Sequence, residues 1–408
     1  MMSQPSIAIF INALEKGGAQ RVAANLTDHL YEAGWKVTLV TQYKLENEYV
    51  LLHEKEIPRV LSDITKQEES HVPGFYRPIN FRRRWKKLHD IWAEIKPDVI
   101  LSFLGKNNIM TLSTAKDLGI PVAVAVRSDP AREYADPKLR KLALKLFPTA
   151  AGVILQTQDG VNFFPEDIRR RSVVLPNPLN PEFMTEPFEG ERDHRVVVVG
   201  RIDKNKHQSL VVTAFEKIAD EIPEDYILEF YGDGSERENL SAEAARGKLC
   251  DRIFFRGVVS DVPQRIRKAG LFILSSDKEG MPNALIEAMA LGIPCISTDC
   301  PCGGPKVLMK TGATAEEKVE PSPNDHGDSS QNYQDVSLPE DKGNLTPNGI
   351  LVPVGDADAM AEAMKKVIND PALAQKLGRN ALRVRAVYSP EAAFAAWEKY
   401  LRSIALMY

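Results

Sequence analysis

Short apolar runs alternate with amphipathic stretches along the first part of the chain. The apolar runs are rich in β-branched residues and predict strands, and most of the stretches between them have the 3.6-residue period of helices. The predicted strands cover 6–11, 36–41, 99–102, 122–126, 152–156 and 173–175. This alternation predicts a parallel sheet with helices on both faces, because parallel strands need crossover connections.

The same alternation starts again further along the chain. The second series of predicted strands covers 195–199, 226–231, 252–256, 271–275 and 293–297. Between the two series lie Pro176, Pro178 and Pro181, and such a run of prolines continues neither strand nor helix. Since 408 residues also exceed what one core accommodates, we predict two doubly wound, Rossmann-like α/β domains at 1–178 and 193–388, joined by a linker at 179–192.

Residues 311–348 break this pattern. They contain eight acidic and two basic residues, so their net charge of −6 exceeds the −4 of the whole chain and leaves the remainder at +2. We predict a mobile acidic insertion in the second domain, because the segment has few large apolar residues to bury. Ordered chain is expected to resume at 349, and three helices are predicted at 356–369, 371–387 and 390–406.

The overall composition is that of a soluble globular protein, with 43% hydrophobic and 26% charged residues. A pI near 6.1 gives no general signature of nucleic-acid binding. The four cysteines form neither a disulfide framework nor a zinc motif. The sequence opens without a signal-peptide pattern and has no apolar run near the length of a membrane span. These features predict a cytoplasmic protein with reduced thiols.

The strongest motif runs from Ser275 to Gly292. A buried strand is expected to end at Ser275, Gly280 allows a tight turn, and Pro282 suits the first position of a helix that stops at Gly292. The backbone amides around 280–283 are then unpaired donors at a helix N-terminus, at the carboxyl edge of a parallel sheet. That arrangement predicts a binding site for a diphosphate.

Two carboxylates flank this turn, Glu279 before the helix and Glu287 within it. Eight positions along a helix span roughly 12 Å, more than the roughly 5–10 Å between carboxylates that act on one bond. The spacing suits the two ends of a nucleotide sugar. The alternative is a helix-dipole contact plus a solvated helix face. The apolar neighbours of Glu287 favour a buried carboxylate that needs a polar partner.

Two further turns follow predicted strands. Arg201 and Lys206 lie five residues apart after the strand that ends at 199, and two such cations can converge on one diphosphate and replace a metal ion. A solvated loop is the alternative for this common pattern. Gly17 and Gly18 open a helix after the first strand and permit close approach of a ligand. They do not form the Gly-x-Gly-x-x-Gly pattern of NAD-binding proteins.

Together these motifs resemble the family-4 glycosyltransferases of the GT-B fold, over nearly the whole chain. The resemblance implies a hexosyltransferase that retains anomeric configuration, needs no metal or other cofactor, and binds its donor mainly in the second domain. It implies that a helix at 389–408 returns to the first domain. The implied donor is a nucleotide-diphosphate sugar, commonly of UDP, carrying a hexose or N-acetylhexosamine. The implied acceptor is a glycan or a lipid-linked sugar of surface polysaccharide or glycoconjugate biosynthesis.

The resemblance also assigns roles to residues. Glu279 would contact the donor sugar and Glu287 the ribose, while Arg201 and Lys206 would hold the diphosphate. The segment from Arg256 to Val258 resembles the one that packs on the base. The implied catalytic residues are Glu279, Arg201 and Lys206, and the implied donor-binding residues are Gly17, Gly18, Arg256, Val258, Gly280, Met281, Pro282, Asn283 and Glu287.

The first domain departs from the family pattern. Many members carry a histidine beside the donor sugar, whereas the corresponding loops here contain Asn108 in one and Arg127 and Asp129 in the other. The second loop partly matches a Glu-Arg-Asn-Asp-Pro-like run found in polysaccharide-synthesising members. Asn108, Arg127 and Asp129 are therefore candidates for the sugar or acceptor side. A structural pair of Arg127 with Asp129 is an equally good interpretation.

A basic segment in the first domain combines five cations with two aromatic residues. The cations are Arg82, Arg83, Arg84, Lys86 and Lys87. One interpretation is an anionic membrane surface as partner, with the protein peripheral on the inner face of the cell membrane. The other is a solvated helix face.

Two other functions remain open from the sequence. One is a different GT-B enzyme, either a nucleotide-sugar epimerase or an inverting transferase. The other is a catalytically silent protein that binds a nucleotide sugar, which the missing histidine keeps open.

Overall fold

The computed structural model describes residues 4–15, 17–62, 77–311 and 345–407. It contains two separate seven-stranded sheets, one on each side of a proline-rich segment at 175–192. The predicted architecture of two doubly wound α/β domains is therefore confirmed.

The first sheet is entirely parallel, with strand order β3-β2-β1-β4-β5-β6-β7. Its strands are β1 Ser6–Ile11, β2 Lys36–Thr41, β3 Arg59–Leu61, β4 Val99–Phe103, β5 Val122–Ala125, β6 Gly152–Leu155 and β7 Ser172–Val174. Its helices are α1 Gly18–Glu32, α2 Arg77–Ile95, α3 Gly105–Ala115, α4 Pro130–Glu133, α5 Pro137–Leu146, α6 Gln158–Asn162 and α7 Glu166–Arg169.

The second sheet has the order β10-β9-β8-β11-β12-β14-β13, parallel except for the last strand. Its strands are β8 Asp193–Val199, β9 Ile227–Tyr231, β10 Ile253–Gly257, β11 Ala269–Leu274, β12 Cys295–Thr298, β13 Leu345–Thr346 and β14 Gly349–Val352. Its helices are α8 Ser209–Lys217, α9 Arg237–Ala244, α10 Val262–Ile266, α11 Asn283–Ala290, α12 Gly304–Lys310, α13 Ala357–Ile368, α14 Pro371–Ala381 and α15 Val384–Tyr388.

Each central strand is buried on both faces, which explains the unbroken apolar runs in the sequence. In β1, Ile7 and Ile9 face the core formed with α1, whereas Ala8 and Phe10 face the core formed with α2, α3 and α5. In β8, Val197 faces α11 and α15. The loops that follow the carboxyl ends of the parallel strands hold many of the predicted site residues, among them Gly17, Arg201, Lys206 and Glu279.

A last helix, α16 Pro390–Met407, follows the second domain but packs on the first. Trp397, Leu401 and Ile404 are buried in the first-domain core. The indole N–H of Trp397 donates to the carbonyl of Pro176 at 2.9 Å. The predicted returning helix is therefore confirmed, and it joins the two domains a second time.

Three local predictions differ from the structure. Strand β3 was not predicted, since only three residues pair at the sheet edge. The helix predicted at 371–387 is two helices, α14 and α15. The prediction of a mobile insertion over 311–348 is wrong for its last residues, because β13 pairs with β14. Asn348 is also fully buried and donates to the carbonyl of Leu308 at 3.2 Å. Residues 312–344 lie outside the described part of the chain.

Candidate active site

The loop after β8 carries Lys206 to the carboxyl edge of the second sheet. Gly200 begins this loop at a φ of +146°, a conformation that favours glycine. A Cβ atom on Gly232 would overlap the carbonyl oxygen of Gly200, so the loop after β9 packs directly against it. The hydroxyl of Ser275 donates to the carbonyl of Lys206 at 2.7 Å. These contacts hold the backbone of the loop at Lys206 in place.

Lys206 and Glu279 form an ion pair. The Lys206 Nζ lies 2.6 Å from Glu279 Oε1, and both side chains are mostly buried. The two loops are also joined by main chain, since the N–H of Asp277 donates to the carbonyl of Asn205 at 2.8 Å. The structure thus brings together two of the three predicted catalytic residues.

Arg201, the third predicted catalytic residue, has a different environment. Its guanidinium Nε lies 3.0 Å from Asp203 Oδ2, and its side chain is 71% exposed. Arg201 and Lys206 share one loop, but the former pairs within the loop and the latter pairs with Glu279. The structure does not join Arg201 to the pair of Lys206 and Glu279, and the convergence of the two cations on a diphosphate stays a prediction.

The turn into α11 is closely packed against the first domain. A Cβ on Gly280 would overlap the side-chain oxygen of Gln156 and lie 3.0 Å from the carbonyl carbon of Ser128. The N–H of Met281 donates to Gln156 Oε1 at 3.1 Å. Two sequence predictions need correction here. The Met281 amide is paired, and α11 begins at Asn283, so Pro282 precedes the helix because its ψ of 106° is extended.

Asn177, in the linker region, connects this turn to the first domain. Its Oδ1 accepts from Gln156 Nε2 at 3.1 Å and from the guanidinium of Arg127. Its Nδ2 donates to Asn283 Oδ1 at 2.8 Å and to the carbonyl of Met281 at 3.4 Å. The residue is 3% exposed. One amide thereby ties the predicted diphosphate turn to both the linker and the first sheet.

Glu287 lies on the second turn of α11 and faces the first domain. Its Oε1 is 2.5 Å from the Nη2 of Arg21 on α1. Burial raises the pKa of Glu287, and the neighbouring Arg21 opposes that shift. The sequence predicted that this buried carboxylate has a polar partner but not which residue it is, and the structure shows that the partner is Arg21.

Comparison with known proteins was consistent with these features. The family profile described as "Glycosyl transferases group 1" matches residues 180–325, which include Lys206, Glu279 and Glu287. A curated relative is 25% identical over 379 residues, 92% of either chain: the GalNAc-α-(1→4)-GalNAc-α-(1→3)-diNAcBac-PP-undecaprenol α-1,4-N-acetyl-D-galactosaminyltransferase of Campylobacter jejuni.

Two solved structures share the whole architecture. Sucrose-phosphate synthase from Thermosynechococcus elongatus aligns with a TM-score of 0.76 at 18% identity, over 99% of this chain and all of that one. HepE from Anabaena, solved with UDP, aligns with a TM-score of 0.73 at 15% identity, over 98% of this chain and all of that one. The fold is GT-B.

The chain is a glycosyltransferase. The predicted enzyme class, a hexosyltransferase, is confirmed.

The glycine turn of the transferase abuts the donor-side helix. A Cβ on Gly18 would lie 3.3 Å from Asn283 Nδ2, so the turn at Gly17 and Gly18 reaches the N-terminus of α11 across the cleft. The N–H of Arg21 donates to the carbonyl of Gly17 at 2.9 Å. Arg21 therefore stands directly after this turn, on the first turn of α1.

The two residues predicted to contact the base, Arg256 and Val258, have different environments. The Arg256 Nη2 lies 2.7 Å from Glu229 Oε1, on the face of the second sheet, and its guanidinium lies over Phe254. Val258, two residues on, is 72% exposed. These contacts of Arg256 are structural, whereas Val258 offers an open apolar surface at the end of β10.

The three first-domain candidates have internal partners in the transferase. Asn108 is fully buried and donates to the carbonyl of Ala125 at 3.1 Å. Asp129 caps α4 by accepting from the N–H of Ala131 at 2.9 Å. The guanidinium of Arg127 lies over the ring of Trp397 and contacts Asn177. The alternative pair of Arg127 with Asp129 is not formed, because each side chain binds a nearer partner. A role at the sugar or acceptor stays a prediction.

Glu133 was missed from the sequence and lies beside this cluster. Its Oε2 accepts from the Ser128 hydroxyl at 2.8 Å. Burial raises the pKa of Glu133 to about 7, although Ser128 and Arg127 both oppose the shift. Burial also lowers the pKa of Arg127 to about 9. No sequence signal distinguished Glu133, since its burial depends on how α4 packs.

Within the described residues, no group of three or more histidine, cysteine or acidic side chains is arranged to hold a metal ion. None of the helices in that part of the chain is both long enough and apolar enough to cross a membrane.

Proposed function

We propose that this transferase is a retaining, metal-independent member of family 4. It moves a hexose or N-acetylhexosamine from a UDP-sugar to a glycan or lipid-linked acceptor of surface polysaccharide or glycoconjugate biosynthesis. The observation that carries the proposal is the Lys206–Glu279 ion pair at the turn into α11, with Glu287 facing the same cleft.

The role of Lys206 follows from the charge that develops during transfer. When the bond from the anomeric carbon to the phosphate oxygen breaks, its electron pair leaves with the nucleoside diphosphate. Lys206 places positive charge at the turn into α11, and Arg201 stands on the same loop, paired with Asp203. Preorganised charge of this kind stabilises the transition state most where charge develops. Two cations substitute for a divalent metal at the diphosphate, so we expect activity to survive EDTA.

Glu279 and Glu287 suit the two ends of the donor. Glu279 stands before the turn, where a carboxylate can accept from hydroxyls of the transferred sugar. Glu287 lies on the second turn of α11 and suits the ribose diol. UDP is the preferred nucleotide in this proposal, and it is supported by the structural neighbour HepE, which was solved with UDP-glucose.

The direct test is donor-dependent transfer by Lys206→Met. Replacing a charged group that stabilises the leaving diphosphate is expected to lower kcat by roughly 100- to 1000-fold. Lys204→Met is the matched control, because Lys204 lies on the same loop and is exposed. Equal activity of Lys206→Met and Lys204→Met, with both variants folded, would contradict the assignment.

The stereochemical part of the proposal has its own measurement. Proton NMR of the first-formed product distinguishes retention from inversion at the anomeric carbon. Inversion, or conversion of the nucleotide sugar without any acceptor, would favour the other GT-B enzymes. Nucleotide-sugar binding without transfer or hydrolysis would favour the catalytically silent protein.

The lipid-linked acceptor is supported by the name of the Campylobacter relative, which specifies an undecaprenol-linked substrate. It is also supported by a basic surface on the first domain. Arg82, Arg83 and Lys86 are exposed on α2. Helix α5 adds further exposed cations, Lys138, Arg140, Lys141 and Lys145. Helices α2 and α5 share one core, so both basic helices lie on the same side of the first sheet.

We therefore propose that the transferase is cytoplasmic and binds peripherally to the inner face of the membrane. Sedimentation with vesicles of neutral lipid, or of neutral lipid plus anionic phosphatidylglycerol, tests this. The triple variant Arg82→Glu, Arg83→Glu, Lys86→Glu is expected to lose anionic binding. Reversal of the exposed Arg246 and Lys248 on the second domain is the control. Equal binding to both kinds of vesicle would remove the membrane proposal and leave the transferase intact.

A further inference from the structure

Arg21 is the residue through which the first domain reaches the carboxylate of Glu287. It stands on the first turn of α1, and its guanidinium crosses the interdomain cleft to within 2.5 Å of Glu287 Oε1. The side chains are 20% and 9% exposed. Arg21 and Glu287 belong to different domains, so the ion pair exists only while the domains face each other.

A buried carboxylate such as Glu287 needs this partner to remain charged and ordered. Burial raises the pKa of Glu287, and the positive charge of Arg21 counteracts this. Glu182, from the linker region, adds a negative charge that raises the pKa further. Tyr49, whose pKa is also raised by burial, borders the same pair. Arg21 is therefore the group facing Glu287 that favours its ionised form.

The ion pair does not exhaust the hydrogen-bonding capacity of Glu287. An ionised carboxylate offers about four acceptor positions, and the contact with Arg21 occupies Oε1. A ribose hydroxyl is a donor and needs a charged, correctly oriented acceptor. The N–H of Arg21 also donates to the carbonyl of Gly17, so Arg21 stands directly beside the glycine turn that closely approaches Asn283.

We propose that Arg21 is a positioning residue for the nucleotide: it fixes Glu287 in the cleft so that the carboxylate accepts a hydroxyl of the ribose. The inference rests on the proposed function, because it takes Glu287 as the ribose-binding group. It adds that ribose recognition in the second domain depends on a side chain from the first. The nucleotide site is then complete only when the two domains are together.

The test measures discrimination between a ribonucleotide and its 2′-deoxy analogue. Calorimetry first ranks UDP, GDP and ADP with the unmodified enzyme, and the tightest of these is then compared with its 2′-deoxy form. A hydrogen bond to a charged acceptor favours the ribonucleotide by about tenfold or more. Arg21→Met is expected to lose most of that preference, chiefly through weaker ribonucleotide binding, and Arg21→Lys is expected to restore part of it.

The pH dependence separates positioning from a purely structural role. In Arg21→Met the loss should become smaller as the pH is raised, because burial raises the pKa of Glu287 and a higher pH favours its ionised form when the charge of Arg21 is absent. Arg402→Met is the control, since it removes an ion pair of 2.6 Å, with Glu398, on α16. It should leave the preference unchanged.

The outcomes distinguish this inference from the proposed function. Undiminished ribose preference in folded Arg21→Met, or equal weakening of both nucleotides, would overturn the role of Arg21. Undiminished preference in Glu287→Gln would overturn the ribose assignment of Glu287 itself. If the unmodified enzyme binds none of the three nucleoside diphosphates, the proposed function and the inference fall together.

Discussion

The side chain of Asn177 forms hydrogen bonds with both domains of the transferase. The substitution Asn177→Ala tests how much these bonds stabilise the protein. The substitution removes the side-chain oxygen that accepts hydrogen bonds from the buried Arg127 guanidinium and from Gln156. It also removes the donor to Asn283 and to the carbonyl of Met281. Because the site is only 3% exposed, solvent replaces these partners poorly.

The expected magnitude follows from the kind of each bond. A bond to a charged group contributes about 2 kcal/mol and a neutral one about 1 kcal/mol. One charged and two good neutral bonds give a loss of about 4 kcal/mol for Asn177→Ala. Asn177→Asp keeps an acceptor for Arg127 and for Gln156 and lacks only the two donated bonds, of which the one to Met281 is long, so it should lose about 1–2 kcal/mol. Asn180→Ala, in the same segment, removes the cap on the Glu182 amide and should cost about 1 kcal/mol.

Urea unfolding followed by both fluorescence and circular dichroism measures these differences, and coincident transitions justify a free energy. The expected order of loss is Asn177→Ala, then Asn177→Asp, then Asn180→Ala. A loss below about 1 kcal/mol for Asn177→Ala would refute the reasoning. An Asn177→Asp variant less stable than Asn177→Ala would show that the charge of Arg127 does not govern the site.

Further expectations concern single contacts. Gly304→Ala should weaken nucleotide binding in calorimetry by displacing the turn into α11, because its Cβ would overlap the carbonyl oxygen of Gly280; wild-type affinity would contradict this packing. Trp397→Ala should cost about 3–5 kcal/mol in urea unfolding, since the ring is fully buried and its N–H bonds Pro176; a loss near zero would mean that α16 does not hold the first domain. Glu133→Gln should stabilise the transferase more at pH 8 than at pH 5. Its folded pKa of about 7 exceeds the unfolded 4.5, so stability from this group falls as pH rises between these values. The stabilisation by Glu133→Gln should differ by about 1–3 kcal/mol between the two pH values, since a shift of one pKa unit corresponds to about 1.4 kcal/mol. An equal effect at both pH values would show that Glu133 titrates normally.

The repeated pattern of apolar and amphipathic stretches determined most of the fold. A strand buried on both faces must be apolar throughout, so β1 and β8 are recognisable locally. The last helix was likewise recognisable from its pattern, and its return to the first domain was implied by the family resemblance. What escaped prediction depended on pairing between distant segments: β3 is a short edge strand, and β13 is ordered by β14.

The same division applies to the candidate site. The turn from Glu279 into α11 and the loop of Lys206 are encoded by neighbouring residues, because glycine placement and helix capping act within a few positions. The sequence could not show that Lys206 pairs with Glu279 or that Gln156 takes the Met281 amide. It also could not show that Arg21 reaches Glu287. The first contact depends on β8 and β11 being neighbours in the second sheet. The other two depend on how the two domains face each other, and that arrangement is set by the whole interdomain packing, including Asn177 and Trp397.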